Sequence, residues 1–421
     1  MTQLSYDPTN PDVRRDPYPH YRELRAVAPV AHIPSTDFYA VARQRDVREV
    51  LRDTATFSSG AMRFTGSNGR PQASLLQTGD LAPEELARLV ASLPYPPVEM
   101  ATARSVVFAD PPLHDELRAI VNRGFTPRRI GALEPRVREI ARACLDDVRA
   151  KGELDLVQDL AIPLPVTVIA EMLGVDPERR ADFKRWSDAL VATAGGGGAA
   201  NRPAGPRVTS FIELFKYLAE VIEERRRAPR EDLISTLVRA EEGESLKPAE
   251  VVSFTLLLLV AGNETTTNLL GNALLALCEH PAELRRVERE PALVPVLVEE
   301  ALRYDTPVQL LYREAVRDCE LAGVAVPKGA IVVPLLGSAN RDEDAFPGGE
   351  RFEIRERGGH LGFGLGVHFC LGAALARLEA RVALEELFQL RGLRRRENAA
   401  PERIDSFMLR GLRSLPLAFD P

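Results

Sequence analysis

The strongest chemical signal in the sequence is a glycine-rich segment that leads into a lone cysteine. Residues 360–372 read HLGFGLGVHFCLG, with the cysteine at position 370. Glycine permits positive φ and a close approach of the backbone to a ligand. Cys370 begins a predicted helix, whose unpaired N–H groups and positive dipole end favour a thiolate over a thiol. Such a thiolate could serve as the single strong axial ligand of a metal ion.

A second motif lies inside a long apolar helix, where residues 261–266 read AGNETT. A glycine and consecutive threonines are poor helix formers, and a glutamate there is costly unless it is satisfied or used. From the residues alone, a helix kink with a solvated Glu264 explains the motif equally well. The spacing of four places Leu257, Ala261 and Thr265 on one helix face.

The elements that must hold these motifs are mainly helical. Apolar residues recur every three or four positions in Pro135–Arg149, which indicates an amphipathic helix. Further helices are predicted at Pro17–Val30, Arg45–Leu51, Pro165–Leu173, Pro177–Thr193, Val208–Arg226, Ala249–His280, Ala282–Glu288, Val294–Arg303 and Cys370–Leu390. The strands are few and short, at Phe38–Val41, Glu320–Val326, Ile331–Leu336 and Arg413–Ala418. The sequence therefore predicts an α+β fold, mainly α with a minor β part.

A glycine-rich stretch over residues 194–206 interrupts this pattern. Four consecutive glycines cannot hold a helix. A mobile loop that joins two helices over a cleft is the favoured interpretation, and an interdomain linker is the alternative.

The cysteine segment resembles the haem-binding signature of the cytochrome P450 family and matches it at every position. The resemblance implies that haem b is the cofactor and that Cys370 is the proximal thiolate ligand of its iron. It also implies that Phe363 packs near this thiolate. Gly364, Gly366 and Gly372 would let the loop and the helix lie close under the porphyrin.

The resemblance extends over nearly the whole chain, from the Asp-Pro-Tyr-Pro at residues 16–19 to the segment at 414–418. A length of 421 residues by itself suggests about three domains. The resemblance implies instead a single haem-thiolate monooxygenase domain over residues 1–421. Haem would lie between the long central helix and the cysteine-containing loop and helix, as in the soluble bacterial members.

The AGNETT motif matches the family pattern of a small residue, Gly, any residue, an acid and Thr. The resemblance implies that Ala261 and Gly262 leave a groove for dioxygen above the haem. It assigns the hydroxyl of Thr265 to hydrogen bonding with the oxygen and Glu264 to proton relay through water.

Haem also carries two propionate carboxylates, which need cationic or donor partners where they leave water. His114 and Arg118 lie four residues apart on a predicted helix that follows Asp110-Pro-Pro. Arg313 and His368 match the remaining propionate partners of the family. On its own, His114 is equally explained as an ordinary surface residue.

A Glu-x-x-Arg pair, Glu300 and Arg303, resembles the structural pair that stabilises the haem-binding core of the family. The pattern also occurs elsewhere, for example at Glu139 and Arg142, Glu223 and Arg226, and Glu283 and Arg286, where surface helical pairs are expected. The resemblance implies that Arg351, in the Glu-Arg-Phe segment at 350–352, completes the set.

The residues that would contact the substrate follow from the resemblance alone. They are Val106, Phe108, Leu257, Val260, Ala261, Gln309, Leu310, Leu311, Met408 and Leu409. The set is mostly apolar, so a hydrophobic small molecule is expected. Terpenoid, steroid, fatty acid and macrolide substrates all remain open, and so does the choice between hydroxylation and epoxidation.

Composition limits the remaining possibilities. Lys and Arg number 54 against 61 Asp and Glu, a net charge of −7, which argues against binding to nucleic acid or anionic membranes. The longest apolar run, Phe254–Gly262, falls short of the roughly 20 residues that span a bilayer. The N-terminus shows no signal sequence, and four cysteines do not make a disulfide framework. A monomeric cytoplasmic protein is expected.

Two rival cofactor sites are not supported, because the sequence shows neither paired zinc ligands nor the third glycine of a dinucleotide fingerprint. Electrons from NAD(P)H are therefore expected through a reductase and a separate ferredoxin or flavodoxin. Only roughly 50 residues follow Cys370, too few for a fused reductase. The expected docking patch comprises Arg123, Arg128, Arg129 and Arg377.

Three functions remain open at this point. The first is a monooxygenase that uses dioxygen, and the second is a haem-thiolate binding or sensor protein without catalysis. The third is a peroxide-dependent peroxygenase. The pair Glu264 and Thr265 favours the first, since a pure binding protein has no use for proton relay.

Overall fold

The computed structural model describes residues 4–60, 82–179, 182–183, 185–186, 204–239 and 246–420. This part of the chain is mainly helical with small sheets, which confirms the predicted fold class. None of its helices is both long and apolar enough to cross a lipid bilayer.

One long helix passes through the middle of the fold, and the other helices surround it. The preceding helices are α1 (Pro11–Arg15), α2 (Tyr18–Val27), α3 (Gln44–Arg52), α4 (Pro83–Ala91), α5 (Pro97–Thr102), α6 (Leu113–Asn122), α7 (Pro127–Ala132), α8 (Glu134–Arg149), α9 (Pro163–Leu173), α10 (Ala204–Arg227) and α11 (Leu233–Arg239). The long helix is α12 (Pro248–Glu279), followed by α13 (Pro281–Arg289), α14 (Val294–Tyr304), α15 (Leu336–Ala339) and α16 (Ala373–Leu387). Short turns of other helix types occur at Val157–Ala161, Pro177–Arg179, Pro291–Leu293 and Gly366–His368.

Helix α12 has clear start signals and a buried second half. Pro248 occupies its first turn, and the carboxylate of Glu250 accepts a hydrogen bond from the N–H of Lys247 at 2.8 Å. From Thr266 to Leu277 every residue is buried, the polar Asn268 and Asn272 included, so this half of the helix is enclosed on all sides. Helix α12 packs against α9, α14 and α16, and α16 packs against α8, so the cysteine-bearing region is fixed to the helical core.

The β part forms one larger sheet and three smaller units. The larger sheet has the order β1-β2-β8-β5-β3, in which β2 and β8 are parallel and the other pairs are antiparallel. Its strands are β1 (Val30–Ile33), β2 (Phe38–Val41), β3 (Phe57–Ser58), β5 (Arg313–Ala315) and β8 (Ile331–Pro334). A three-stranded sheet contains β4 (Glu153–Asp155), β12 (Pro416–Asp420) and β9 (Arg391–Arg395). Two-stranded units pair β6 (Cys319–Leu321) with β7 (Val324–Val326) and β10 (Glu402–Arg403) with β11 (Leu412–Ser414).

The predicted strands need three local corrections. The span 320–326 is two strands, since Ala322 and Gly323 adopt positive φ values of 47° and 83° and turn the chain. The span 331–336 ends as a strand at Pro334, because α15 begins two residues later. The span 413–418 divides between β11 and β12 at residue 415.

The predicted helices agree closely in the core and less well elsewhere. Helix α16 begins at Ala373 rather than Cys370, because residues 370–372 form the turn that leads into it. The predicted helix at 177–193 is a short turn over its first three residues, and most of the remainder lies outside the described residues. The predicted loop at 194–206 also lies outside them up to residue 203, and residues 204–206 belong to the first turn of α10.

Candidate active site

A cavity of about 310 Å³ lies between α12 and the loop that carries Cys370. Helix α12 supplies one wall with Leu257, Ala261, Gly262 and Thr265. The cysteine loop supplies the other. The two sequence motifs are therefore brought to opposite sides of one space, as a haem between the central helix and the cysteine loop requires.

Open space in front of the glycines gives a direct test of whether a flat cofactor fits. A Cβ added at Gly262 or Gly372 would meet no other atom within 4 Å, and both residues line the cavity. Gly364 has φ of +71°, and a Cβ there would meet its first atom only at 3.9 Å. The cavity walls are thus smooth where a porphyrin would lie.

Gly366 has a different reason to be glycine from the one predicted. Its φ is +74°, and a Cβ there would lie 2.8 Å from the carbonyl oxygen of Leu51 in α3. The close approach is therefore to α3, and Gly366 is absent from the residues that line the cavity.

Cys370 faces this cavity from the turn before α16. The exposed surface of Cys370 faces the cavity, and its main-chain N–H donates to the carbonyl of Phe363 at 2.9 Å. Burial of the thiol deep below the outer surface raises its pKa, although the N–H of Gly372 and the charges of Arg118 and Arg377 act in the opposite direction. The net direction is opposite to the one expected from the helix terminus alone. A bound cation is the partner that would deprotonate this thiol.

Cationic and donor groups collect at one end of the cavity, as two propionates require. Arg118 and His368 line the cavity, and the ring centroids of His368 and His114 are 4.4 Å apart. His114 is 1% exposed and its Nδ1 contacts Asp115 at 2.9 Å. Its Nε2 is buried without a hydrogen-bond partner in the described part of the chain. An orphaned buried nitrogen of this kind fits an absent acceptor.

The electrostatics of this end also fit an anionic group. Burial, followed by the charges of Arg313 and His114, lowers the pKa of His368 to about 3. Burial lowers the pKa of Arg313 to about 10, and burial lowers the pKa of Arg118 as well. Burial disfavours the charged form of each of these groups, and two haem carboxylates would supply the opposite charge that compensates.

The proposed oxygen side of the cavity contains Thr265 and, behind it, two unusual carboxyl groups. The hydroxyl of Thr265 donates to the carbonyl of Ala261 at 2.6 Å. Burial raises the pKa of Glu264 to about 7. Burial also raises the pKa of Glu379 to about 8, although a hydrogen bond with Thr266 opposes it.

Glu379 is a cavity residue that the sequence analysis missed. It lies in α16 and is buried, and it contributes to the cavity lining next to Thr266. The sequence indicates this site only by a glutamate that lies among the apolar positions Leu375, Leu378 and Val382 of the same helix.

Among the predicted substrate residues, Val106, Leu257, Ala261 and Leu311 line the cavity. Other cavity residues are apolar neighbours that were not predicted, such as Phe254. The lining drawn from the described residues does not include Phe108, Val260, Met408 and Leu409.

Gln309 and Leu310 require correction, because the structure buries both away from the cavity. The amide of Gln309 donates to the carbonyl of Thr306 at 2.6 Å and to the hydroxyl of Tyr18 at 3.3 Å. Leu310 packs in the apolar cluster that also contains Tyr18 and Phe38. These contacts fix the chain beneath the cavity wall rather than in it.

The Glu300 and Arg303 pair is buried and bidentate, with both N–O distances at 2.8 Å. Arg351 needs correction, since its side chain is exposed and only its carbonyl takes part, accepting from Arg303 at 2.9 Å. The additional guanidinium near Glu300 belongs to Arg357, whose Nε lies 3.8 Å from the carboxylate.

The expected docking arginines fall into two groups. Arg123, Arg128 and Arg129 are exposed at the surface around α7. Arg377 is half-buried, and its guanidinium makes two hydrogen bonds to Glu299.

Comparisons with known proteins agree with this geometry. A family model described as Cytochrome P450 matches residues 207–414. The chain is 39% identical over 375 residues to cytochrome P450 YjiB of Bacillus subtilis, covering 88% of this chain and 86% of that protein. It is 43% identical to the structure of cytochrome P450 CYP109Q5 from Chondromyces apiculatus, with a TM-score of 0.84 and 98% of each chain covered. The structure of CYP109E1 from Bacillus megaterium in complex with corticosterone is 35% identical, with a TM-score of 0.82 and 97% and 100% of the chains covered.

The fold, the cavity between the two motifs and these similarities lead to one conclusion. The chain belongs to the cytochrome P450 family, whose members are monooxygenases that depend on haem b.

Proposed function

We propose that this enzyme inserts one oxygen atom of dioxygen into a hydrophobic small molecule, with Cys370 as the ligand of the haem iron. The observation that carries the proposal is the cavity itself. Cys370 closes one side, and the wall on the other side is apolar apart from threonine hydroxyls near Gly262. We further propose that electrons come from NAD(P)H through a reductase and a separate ferredoxin or flavodoxin.

Haem b, when bound, supplies the redox and oxygen-activating chemistry, and a thiolate ligand favours cleavage of the O–O bond. The chain contributes position and exclusion of water. Apolar side chains, among them Leu257, Val106 and Leu311, hold the substrate and keep bulk water out. The glycine at position 262 leaves open space beside Ala261 in the same wall.

Proton supply is the second contribution of the chain. The hydroxyl hydrogen of Thr265 is engaged with the carbonyl of Ala261, which leaves the Oγ1 lone pairs available to accept a hydrogen bond. A carboxyl group with a pKa of about 7, such as Glu264, can bind and release protons near neutral pH. The two residues are neighbours in α12, one facing the cavity and the other half-buried.

We propose a neutral, largely apolar substrate of steroid-like character. The support is the apolar lining of the substrate side together with the corticosterone complex of the similar CYP109E1. Among the described lining residues, the arginine is Arg118, which is assigned above to the propionate end of the cavity. A long-chain fatty acid is therefore expected to bind more weakly than a steroid.

The test is a titration of the haem-loaded protein with corticosterone, hexadecenoic acid and a macrolide. Corticosterone is expected to give the largest low-spin to high-spin shift, followed by a single oxygenated product when electrons are supplied. The variant Ala261→Leu places a larger side chain in the cavity and is expected to weaken the apparent affinity for corticosterone, read from the spin shift, at least tenfold. A protein that shows the thiolate-type carbon monoxide band but responds only to the fatty acid would contradict the steroid proposal.

A further inference from the structure

A charged side chain lies directly behind the cysteine loop. The guanidinium of Arg377 is 4.5 Å from the centroid of the Phe363 ring, a cation–π distance. Phe363 is hydrogen-bonded to Cys370, because the main-chain carbonyl of Phe363 accepts the main-chain N–H of Cys370 at 2.9 Å. A full positive charge is thus held against the ring of the residue whose carbonyl accepts the Cys370 N–H.

This charge acts on Cys370 at a distance. Arg377 is one of two arginines whose field favours the thiolate, the other being Arg118 at the propionate end. Phe363 and Cys370 both line the cavity, so the guanidinium packs against a side chain of the same wall that carries the sulfur.

A carboxylate holds Arg377 in this position. The Nε and Nη2 atoms of Arg377 donate to Glu299 at 2.6 Å and 2.9 Å, a bidentate arrangement. His360 binds the same carboxylate at 2.9 Å. Burial raises the pKa of Glu299, but the hydrogen bonds from His360 and Arg377 outweigh it and bring the pKa to about 2. Glu299 is therefore an anion at neutral pH.

We propose that Arg377 and Glu299 together set the reduction potential of the haem iron held by Cys370. Arg377 is a positioning and charge-tuning residue, and it does not contact the substrate. Reduction places an additional electron on the iron, so a nearby cation favours the reduced form and a nearby anion disfavours it. The inference goes beyond the proposed substrate chemistry, although it rests on Cys370 as the iron ligand.

Because Arg377 and Glu299 carry opposite charges, removing one or the other is expected to shift the reduction potential in opposite directions. The haem-loaded variants Arg377→Gln, Glu299→Gln and the double variant are titrated electrochemically without substrate. Arg377→Gln leaves Glu299 in excess and is expected to lower the potential. Glu299→Gln leaves Arg377 in excess and is expected to raise it. Each change is expected to reach about tenfold in the one-electron equilibrium constant, or about 59 mV. The double variant loses both charges and is expected to lie between the two single variants.

Two further variants separate charge from structure. Arg377→Lys keeps the charge and is expected to keep most of the potential. Arg381→Gln removes the same charge one turn later in α16, where the arginine pairs with Glu134 instead, and is expected to shift the potential far less.

The thiolate-type carbon monoxide band of every variant reports whether Cys370 still holds the iron. Its absence from the wild-type protein would contradict the proposed ligand. Its presence, together with single variants that shift the potential in the same direction or leave it unchanged, would contradict the tuning role alone.

Discussion

The functional chemistry of the site depends on a few side chains in which burial and hydrogen bonding compete. Cys370 shows this most clearly, because burial raises its pKa in spite of the main-chain N–H groups and cations around it. Burial raises the pKa of Glu264 and of Glu379 as well. One thiol and two carboxyl groups at or near the cavity thus hold their protons more tightly than the same groups in water.

Thr265 provides the first prediction. Thr265→Ala is expected to retain haem and substrate binding, because the hydroxyl of Thr265 donates to the carbonyl of Ala261 within the same helix. Loss of the hydroxyl acceptor is expected to lower product formed per NADPH and to raise peroxide release severalfold. The measurement is the ratio of product to NADPH consumed.

Thr267→Ala is the matched control, since its hydroxyl donates to Ala161 at 2.7 Å in the core. Its coupling ratio is expected to stay at the wild-type level. An unchanged ratio in Thr265→Ala would remove this residue from proton delivery.

Glu379 provides a prediction about stability and pH. Its folded-state pKa of about 8 lies above the ordinary value of 4.5, so the folded protein holds this proton more tightly. The associated stability is fully present below about pH 4.5 and is lost as pH rises through about 8. Glu379→Gln is expected to flatten this decline, whose slope is at most about 1.4 kcal/mol per pH unit.

The measurement is the free energy of unfolding by denaturant between pH 5 and 9. Glu386→Gln is the matched control in the same helix. Burial raises the pKa of Glu386, but hydrogen bonds from Arg142 and Arg138 make the net direction a lowering. The stability that Glu386 contributes is lost as pH falls, so Glu386→Gln is expected to change the free energy of unfolding at acidic pH instead. Identical pH slopes for Glu379→Gln and wild type would contradict the assignment.

Among the elements, an ion pair connects two segments that each contribute a residue to the cavity lining. Arg104, just after α5, makes a bidentate contact with Glu250 of α12 at 2.6 Å and 2.9 Å. Two residues beyond Arg104, Val106 lines the cavity, and so does Phe254, one turn beyond Glu250. The pair therefore links the segment around Val106 to the central helix.

Arg104→Gln is expected to loosen that link. Glu250 is 3% exposed, so loss of its charged partner is expected to cost about 1–3 kcal/mol of stability. Faster substrate association and dissociation are expected, measured by stopped-flow recording of the spin shift. Arg149→Gln, which removes an exposed pair with Asp146, is the control and is expected to change neither quantity. Slower ligand exchange in Arg104→Gln would contradict the role of the pair.

How far the sequence predicts each element depends on whether its signal is local. Helix α12 was predicted within one residue at each end, because its apolar length and Pro248 are sequence features. The resemblance predicts that Arg351 completes the set around Glu300, but the additional guanidinium there belongs to Arg357. Both residues lie in a segment without helix or strand, where no periodic pattern indicates which side chain is buried. The burial of Gln309 depends on Tyr18, nearly 300 positions away in the chain, and no local pattern contains that contact.

At the scale of the whole molecule, haem is expected to complete the fold as well as the chemistry. The cavity of about 310 Å³ separates α12 from the cysteine loop, and His114 retains a buried nitrogen that lacks a partner in the described ranges. A ligand that binds only the folded state stabilises it by mass action. The three-stranded sheet of β4, β12 and β9 lies outside the cavity lining and depends on haem only indirectly.

Removal of haem is therefore expected to lower Tm by several degrees. Amide hydrogen exchange is expected to accelerate in residues 363–372 and in α6, which carries His114 and Arg118. Strand β12 serves as the internal reference and is expected to keep its protection. A uniform loss of protection over the whole chain would contradict a local role of haem in the fold.

The contact between Gly366 and Leu51 has a consequence for how the chain can change in evolution. A methyl group at position 366 would collide with the Leu51 carbonyl at 2.8 Å, a main-chain atom that no rotamer can move. Insertions or tilts in α3 would press on the cysteine loop directly. Descendants of this sequence should therefore alter the segment around residue 51 and the loop around residue 366 together or not at all.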